Sequence, residues 1–131
     1  MSRPARPGVT YDTGALIAAE RGDRTLWSRH RAWLNAGVSP TVPAGVLAEA
    51  WRGGPQANLS RCLAGCHIEP LTDTQARAVG ALAARTGLDD TVDLAVAEGA
   101  LRRGDTIVTS NPTHLRQATA GASEKVAIDV I

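Results

Sequence analysis

The chain has 131 residues, a formal net charge of +1 and 44% hydrophobic side chains. That is enough apolar material for one domain over residues 1–131, and too even a charge for a general nucleic-acid footprint. No apolar run approaches the roughly 20 residues of a membrane span. The start, MSRPARPG, is basic and proline-rich without the apolar stretch of a signal peptide, so residues 1–7 read as a mobile tail.

Val9–Asp12 (VTYD) reads as a short strand ending in an acid. Thr13 and Gly14 turn the chain into a helix over Ala15–Glu20. Asp23 caps a second helix, in which Leu26, Trp27, His30, Trp33 and Leu34 recur at helical spacing. His30 sits among apolar neighbours, and a structural role outranks a ligand role. Val38–Val42 is a second strand, with Pro40 near its start. Pro43 opens a helix over Ala44–Trp51 that carries Glu49. Gly53, Gly54 and Pro55 break the chain. A fourth helix, Asn58–Cys66, holds the only two cysteines, Cys62 and Cys66, one turn apart with His67 next. Two thiols and one histidine make an incomplete metal set, and small core residues are the preferred reading. So few cysteines argue against a secreted disulfide scaffold and fit a reduced, cytoplasmic compartment.

His67–Leu71 is a third strand or an extended edge. Thr72–Gln75 is a T-x-x-Q capping box for a helix that runs to Gly87. Asp89 or Asp90 caps the next helix, and with Asp90 as N-cap, Asp93 falls at N3. This helix ends in Arg102 and Arg103 and stops at Gly104. Thr106–Ser110 (TIVTS) is β-branched and short, as a buried strand would be, and it leads to Asn111. Pro112–Thr119 is a brief helix and Lys125–Ile131 the closing strand. The alternation of strands and helices predicts an α/β fold of three layers, α/β/α. Its mostly parallel sheet has four to five short strands and is covered on both faces.

In such a sheet, strand ends and the starts of following helices share one edge, where sites collect. Asp12, Glu49 and Asp93 all map near that edge. Any one of the acids opening the sixth helix is most simply a cap. Together, clustered carboxylates repel and raise one another's pKa until a cation sits between them. Oxygen ligands select magnesium or manganese, and such an ion would bind a phosphodiester oxygen and acidify a bound water.

Other motifs fail. Asp12-Thr13-Gly14 matches the aspartic-protease triplet but precedes a helix rather than lying in an all-β setting. A haloacid-type phosphatase needs an acid where Gly14 stands. A receiver domain needs a late lysine, and the only one is Lys125. There is no G-x-S-x-G, P-loop or G-x-G-x-x-G.

The ordered set VTYDTGALIAAERGDR, VLAEAWRGGPQ, DTVDLAVAEGALRRGDTIVTSNPTHL and VAIDVI resembles a PIN-domain ribonuclease, specifically a VapC-type toxin of a bacterial toxin–antitoxin pair. The resemblance spans nearly the whole chain. It implies a magnesium-dependent endoribonuclease, with manganese as a substitute, whose catalytic acids are Asp12, Glu49 and Asp93. Asp12 and Asp93 would hold the metal, with Asp90 and Asn111 as companions. It implies a cognate VapB-type antitoxin, an RNA substrate and a homodimer. Asn111 departs from the family, which often has an aspartate there, and His114 stands at a neighbouring position that is often acidic. Asn111 adds no charge and cannot act as a base. A catalytically weakened binding module that still pairs with an antitoxin is therefore the alternative, and a DNA nuclease of the same chemistry is a third. Arg52, Arg102, Arg103 and Arg116 are candidates for an RNA path. For most of them a solvated charge is the simpler role, and Arg102 has Glu98 one turn earlier as a partner.

Overall fold

The structure, a computed structural model, describes residues 8–120 and 126–131. The expected tail and Lys125 lie outside them. β1 (Val9–Tyr11), β2 (Thr41–Pro43), β3 (His67–Glu69), β4 (Thr106–Thr109) and β5 (Ile128–Val130) form one sheet in the order β3-β2-β1-β4-β5. Every pairing is parallel. The helices are α1 (Thr13–Glu20), α2 (Arg24–Asn35), α3 (Ala44–Ala50), α4 (Ala57–Ala64), α5 (Asp73–Thr86), α6 (Thr91–Arg103) and α7 (Thr113–Thr119).

Side chains alternate across a strand, and β1 shows where the layers lie. Tyr11 reaches His30 of α2, while Thr10 reaches Arg103 of α6. The two helices therefore cover opposite faces, and the sheet is the middle of three layers. The main core joins Val9 and Tyr11 to Leu16, Leu26, Val42, Val46, Leu59, Val96 and Ile107. A smaller cluster, Val79, Leu82, Leu94, Ala97 and Ala118, fastens α5 and α7 to α6. No helix is long and apolar enough to cross a membrane among the described residues.

Caps set the helix boundaries as their sequences suggest. Asp12, Asp23, Thr72 and Asp90 each accept a backbone N–H of the first turn. Gly87 and Gly104 take left-handed backbone at φ 73° and 70°, closing α5 and α6. The capping box at Thr72 is only half made: Thr72 accepts from Gln75 N–H at 3.1 Å, but the Gln75 amide donates to Glu69 at 3.0 Å instead of turning back.

Several boundaries shift; α1 begins at Thr13 rather than Ala15 and β3 ends at Glu69 rather than Leu71. β2 starts at Thr41 rather than Val38, because Val38 N–H closes α2 by donating to Trp33 O at 2.9 Å. α4 ends at Ala64, so Cys66 lies beyond it. β5 is confined to Ile128–Val130. Trp27 and Trp33 pack on the core as expected of most of the tryptophans, whereas Trp51 is 41% exposed.

Candidate active site

The sheet order puts β1 beside β4, so the residues following each strand become neighbours. Asp12 leaves β1 in extended backbone and caps α1, with Oδ1 accepting from Ala15 N–H at 2.9 Å. Oδ2 accepts from the hydroxyl of Thr109, the last residue of β4. Asp12 as a whole is 6% exposed. Burial raises its pKa first; the bonds from Thr109 and Ala15 oppose that, and the charge of Asp93 adds to it.

Asp93 sits in the first turn of α6, whose N-cap Asp90 accepts from Val92 and Asp93 N–H, both at 3.0 Å. Partial burial pushes Asp93 up. His114 of α7, at 3.1 Å, pulls it down, and the charges of Asp90 and Glu49 push it up again. Glu49 is exposed on α3 and accepts from the Thr13 hydroxyl at 2.6 Å. α1 thus touches Asp12 through its cap and Glu49 through Thr13.

The structure brings Asp12, Glu49, Asp90 and Asp93 to one edge, where the charge of Asp93 acts on Asp12 and those of Asp90 and Glu49 act on Asp93. Asn111 is exposed just past β4, its N–H bound by Thr109 Oγ1 at 2.9 Å. Thr13, Thr109 and His114 complete the surroundings. The hydroxyls carry no signal in the sequence beyond their position beside an acid or at a strand end.

The arginines divide. Arg52, three residues after Glu49, is exposed and donates to the carbonyls of Ala48 and Trp51. Arg116 is exposed on α7. Arg102 and Arg103 lie at the far end of α6, about 15 Å from Asp93 at a rise of about 1.5 Å per residue. Both pair with Glu69, Arg102 also with Glu98 and Arg103 also with Asp105. The structure does not bring these two to the acids.

The donor set fits a hard divalent cation: carboxylates from three segments, oxygen only, with Asp12 and Asp93 both disfavoured in the charged form by burial. Among the described residues, the potential ligand atoms that all lie within 4.8 Å of one another are those of a histidine and two thiols, not those of the three acids.

The raised pKa values predict a pH response of the metal-free protein. A carboxyl whose folded pKa lies above its unfolded value adds stability at low pH and loses it as pH rises through the folded pKa. Asp12 and Asp93 are both raised. In chelator, wild type should lose stability relative to Asp93→Asn as pH rises from about 4, the ordinary carboxyl range, towards neutral. Urea midpoints across that range measure it, and parallel curves would remove the proposed charge crowding.

No protein-family model and no curated protein matches the sequence. Solved structures do match by shape. A VapBC2 complex from Rickettsia felis bound to a DNA fragment from its promoter aligns with a TM-score of 0.71 and 15% identity, over 94% of this chain and 98% of that one. A toxin–antitoxin complex from Klebsiella pneumoniae aligns at 0.68 and 18%, over 88% and 93%. A DNA-bound VapBC from Salmonella typhimurium aligns at 0.64 and 18%, over 95% and 98%. The likeness covers 88–98% of each chain compared and shows that the fold is the PIN-type fold expected from the sequence.

Proposed function

We propose that the chain is the toxin of a toxin–antitoxin pair and acts as a magnesium-dependent endoribonuclease. The observation that carries the reading is the convergence of Asp12, Glu49 and Asp93, from three separate segments, on one edge of the sheet. The structural likeness to toxin–antitoxin complexes supports the pairing with a VapB-type antitoxin.

In this reading Asp12 and Asp93 hold the cation, with Asp90 and Asn111 alongside. When bound, the ion neutralises the carboxylates and supplies Lewis-acid activation of phosphate and water. The chain's own residues do the positioning. Thr109 and the start of α1 fix Asp12 from two sides. His114 fixes one oxygen of Asp93. Thr13 holds one oxygen of Glu49, leaving the other free to accept a proton from water. Arg52 and Arg116 are the exposed cations left to meet RNA phosphates.

The test is cleavage of total RNA by purified, antitoxin-free protein, in magnesium, in manganese and in chelator. Discrete fragments that require metal and disappear with Asp93→Asn are expected. Cleavage that persists in chelator or in the variant would defeat the proposal.

Asn111 favours a second reading, a weakened module that keeps the fold and the antitoxin. Its amide oxygen brings no charge to a cation. Under that reading, wild type is inert and Asn111→Asp raises both metal affinity and cleavage. No gain would mean that the site is complete without an acid there.

A further inference from the structure

On the face of the sheet away from α6, four polar side chains meet inside the core. His30 is 2% exposed and Cys62 fully buried; Cys66, just past α4, is half-buried. One ligand atom of each lies within 4.8 Å of those of the other two. Cys62 Sγ is 3.9 Å from His30 Nδ1, and the Tyr11 hydroxyl is 2.8 Å from the same nitrogen. Cys66 Sγ donates to the carbonyl of Cys62 at 3.2 Å. The carboxylate site uses none of these groups. His67, the histidine next to Cys66 in sequence, is exposed. The histidine that completes the set comes instead from α2.

We propose that His30 Nδ1, Cys62 Sγ and Cys66 Sγ form a zinc site, with the Tyr11 hydroxyl at the fourth position. Zinc holds thiolate sulfur at about 2.3 Å and imidazole nitrogen at about 2.0–2.1 Å, so two such ligands of a tetrahedral ion stand about 3.6 Å apart. The 3.9 Å between Cys62 and His30 needs only a small side-chain adjustment. The turn between the cysteines is fitted to the ring: a Cβ on Gly65 would lie 3.4 Å from His30 Nε2 and 3.0 Å from Leu34 Cδ1.

Binding would release both thiol protons to solvent. Two thiolates, a neutral imidazole and a neutral phenol then balance the dication. Metal on Nδ1 requires the imidazole proton on Nε2, and the Tyr11 hydroxyl turns from that nitrogen to the ion. Soft sulfur donors select zinc over magnesium, so the two sites take different ions. Zinc would tie α2 and α4 to β1 at Tyr11, the residue before Asp12, and so brace the end of β1 from behind.

The probe is cobalt(II) added to the full-length protein in a thiol-free reductant, read by absorption and by metal analysis. With the carboxylate site filled by excess magnesium, one cobalt per chain, an intense thiolate-to-cobalt charge-transfer band and displacement by zinc are expected. The band should vanish in Cys66→Ser and persist in Asp93→Asn. Uptake without the band, a band that survives Cys66→Ser or is lost in Asp93→Asn, or no uptake by folded protein with two free thiols would each overturn the site. The wild-type spectrum decides even if Cys66→Ser does not fold.

Discussion

Asp12→Asn should reduce metal-dependent RNA cleavage by at least about 100-fold and leave the fold in place. Losing a group that only orients a metal ligand costs about 10–100-fold, and Asp12 is proposed to touch the ion itself. The fold survives because asparagine caps a helix as well as aspartate does, so the bond from Ala15 N–H persists. The amide lacks a second acceptor for the Thr109 hydroxyl, a loss of about 1 kcal/mol. Against that, the variant removes a buried charge whose burial already disfavours ionisation. The two effects offset, and the urea midpoint in chelator should move little. Magnesium separates the proteins: a ligand at 100 times its Kd stabilises the native state by about 2.7 kcal/mol. Wild type should show that gain and Asp12→Asn should not. Equal magnesium shifts, or undiminished cleavage, would take Asp12 out of the site.

Arg103→Ala should destabilise the protein by about 3–5 kcal/mol, the usual result of stripping one partner from a buried ion pair. Arg103 donates to Asp105 at 2.9 Å, to Glu69 at 2.6 Å and to Thr10 Oγ1 at 2.9 Å. Asp105 is 4% exposed and also accepts from the Thr10 hydroxyl at 2.7 Å. It has little room to escape, since a Cβ on Gly8 would lie 2.2 Å from Asp105 Oδ1. Burial works to raise the Glu69 pKa, but Arg102 and Arg103 outweigh it and hold the carboxyl below its ordinary range. Arg102→Ala should cost no more than about 1 kcal/mol, because its pairs lie nearer solvent. Denaturant curves of both variants measure the contrast. An Arg103→Ala protein of wild-type stability but weaker RNA binding would return that arginine to the RNA path.

Much of this fold is written locally. Asp12, Asp23, Thr72 and Asp90 are small polar caps before apolar periodic runs, and Gly87 and Gly104 stand where left-handed backbone ends a helix. The β-branched TIVT identifies β4 without help. What the sequence conceals depends on competition for single groups. Val38 has the residue type of a strand, but its N–H belongs to the end of α2. Gln75 has the spacing of a capping box, but its amide finds Glu69. Asp12 and Asp93 were legible because one ends a strand and the other lies in the first turn of a helix, and parallel topology sends both to the same edge, whereas Glu49, near the end of α3, was legible only through the family resemblance. The assembly of His30 with Cys62 and Cys66 was not, because nothing in the spacing tells which turn of α2 faces α4. Arg103 looked like a surface cation until β1 and β4 placed Thr10 and Asp105 beneath it.

The strand order also has a consequence for synthesis. β1 lies in the middle of the sheet, yet its neighbour β4 comes from near the other end of the chain, with Thr10 paired to Ile107. A growing polypeptide that has not reached Thr109 lacks the hydroxyl that holds Asp12, and one that has not reached His114 lacks the partner of Asp93. Pairing at such long sequence separation is slow to form. The edge the carboxylates share therefore needs residues as far along the chain as Thr109 and His114 before it can form. Under the proposed function, a nascent chain short of His114 has no assembled site with which to cleave RNA.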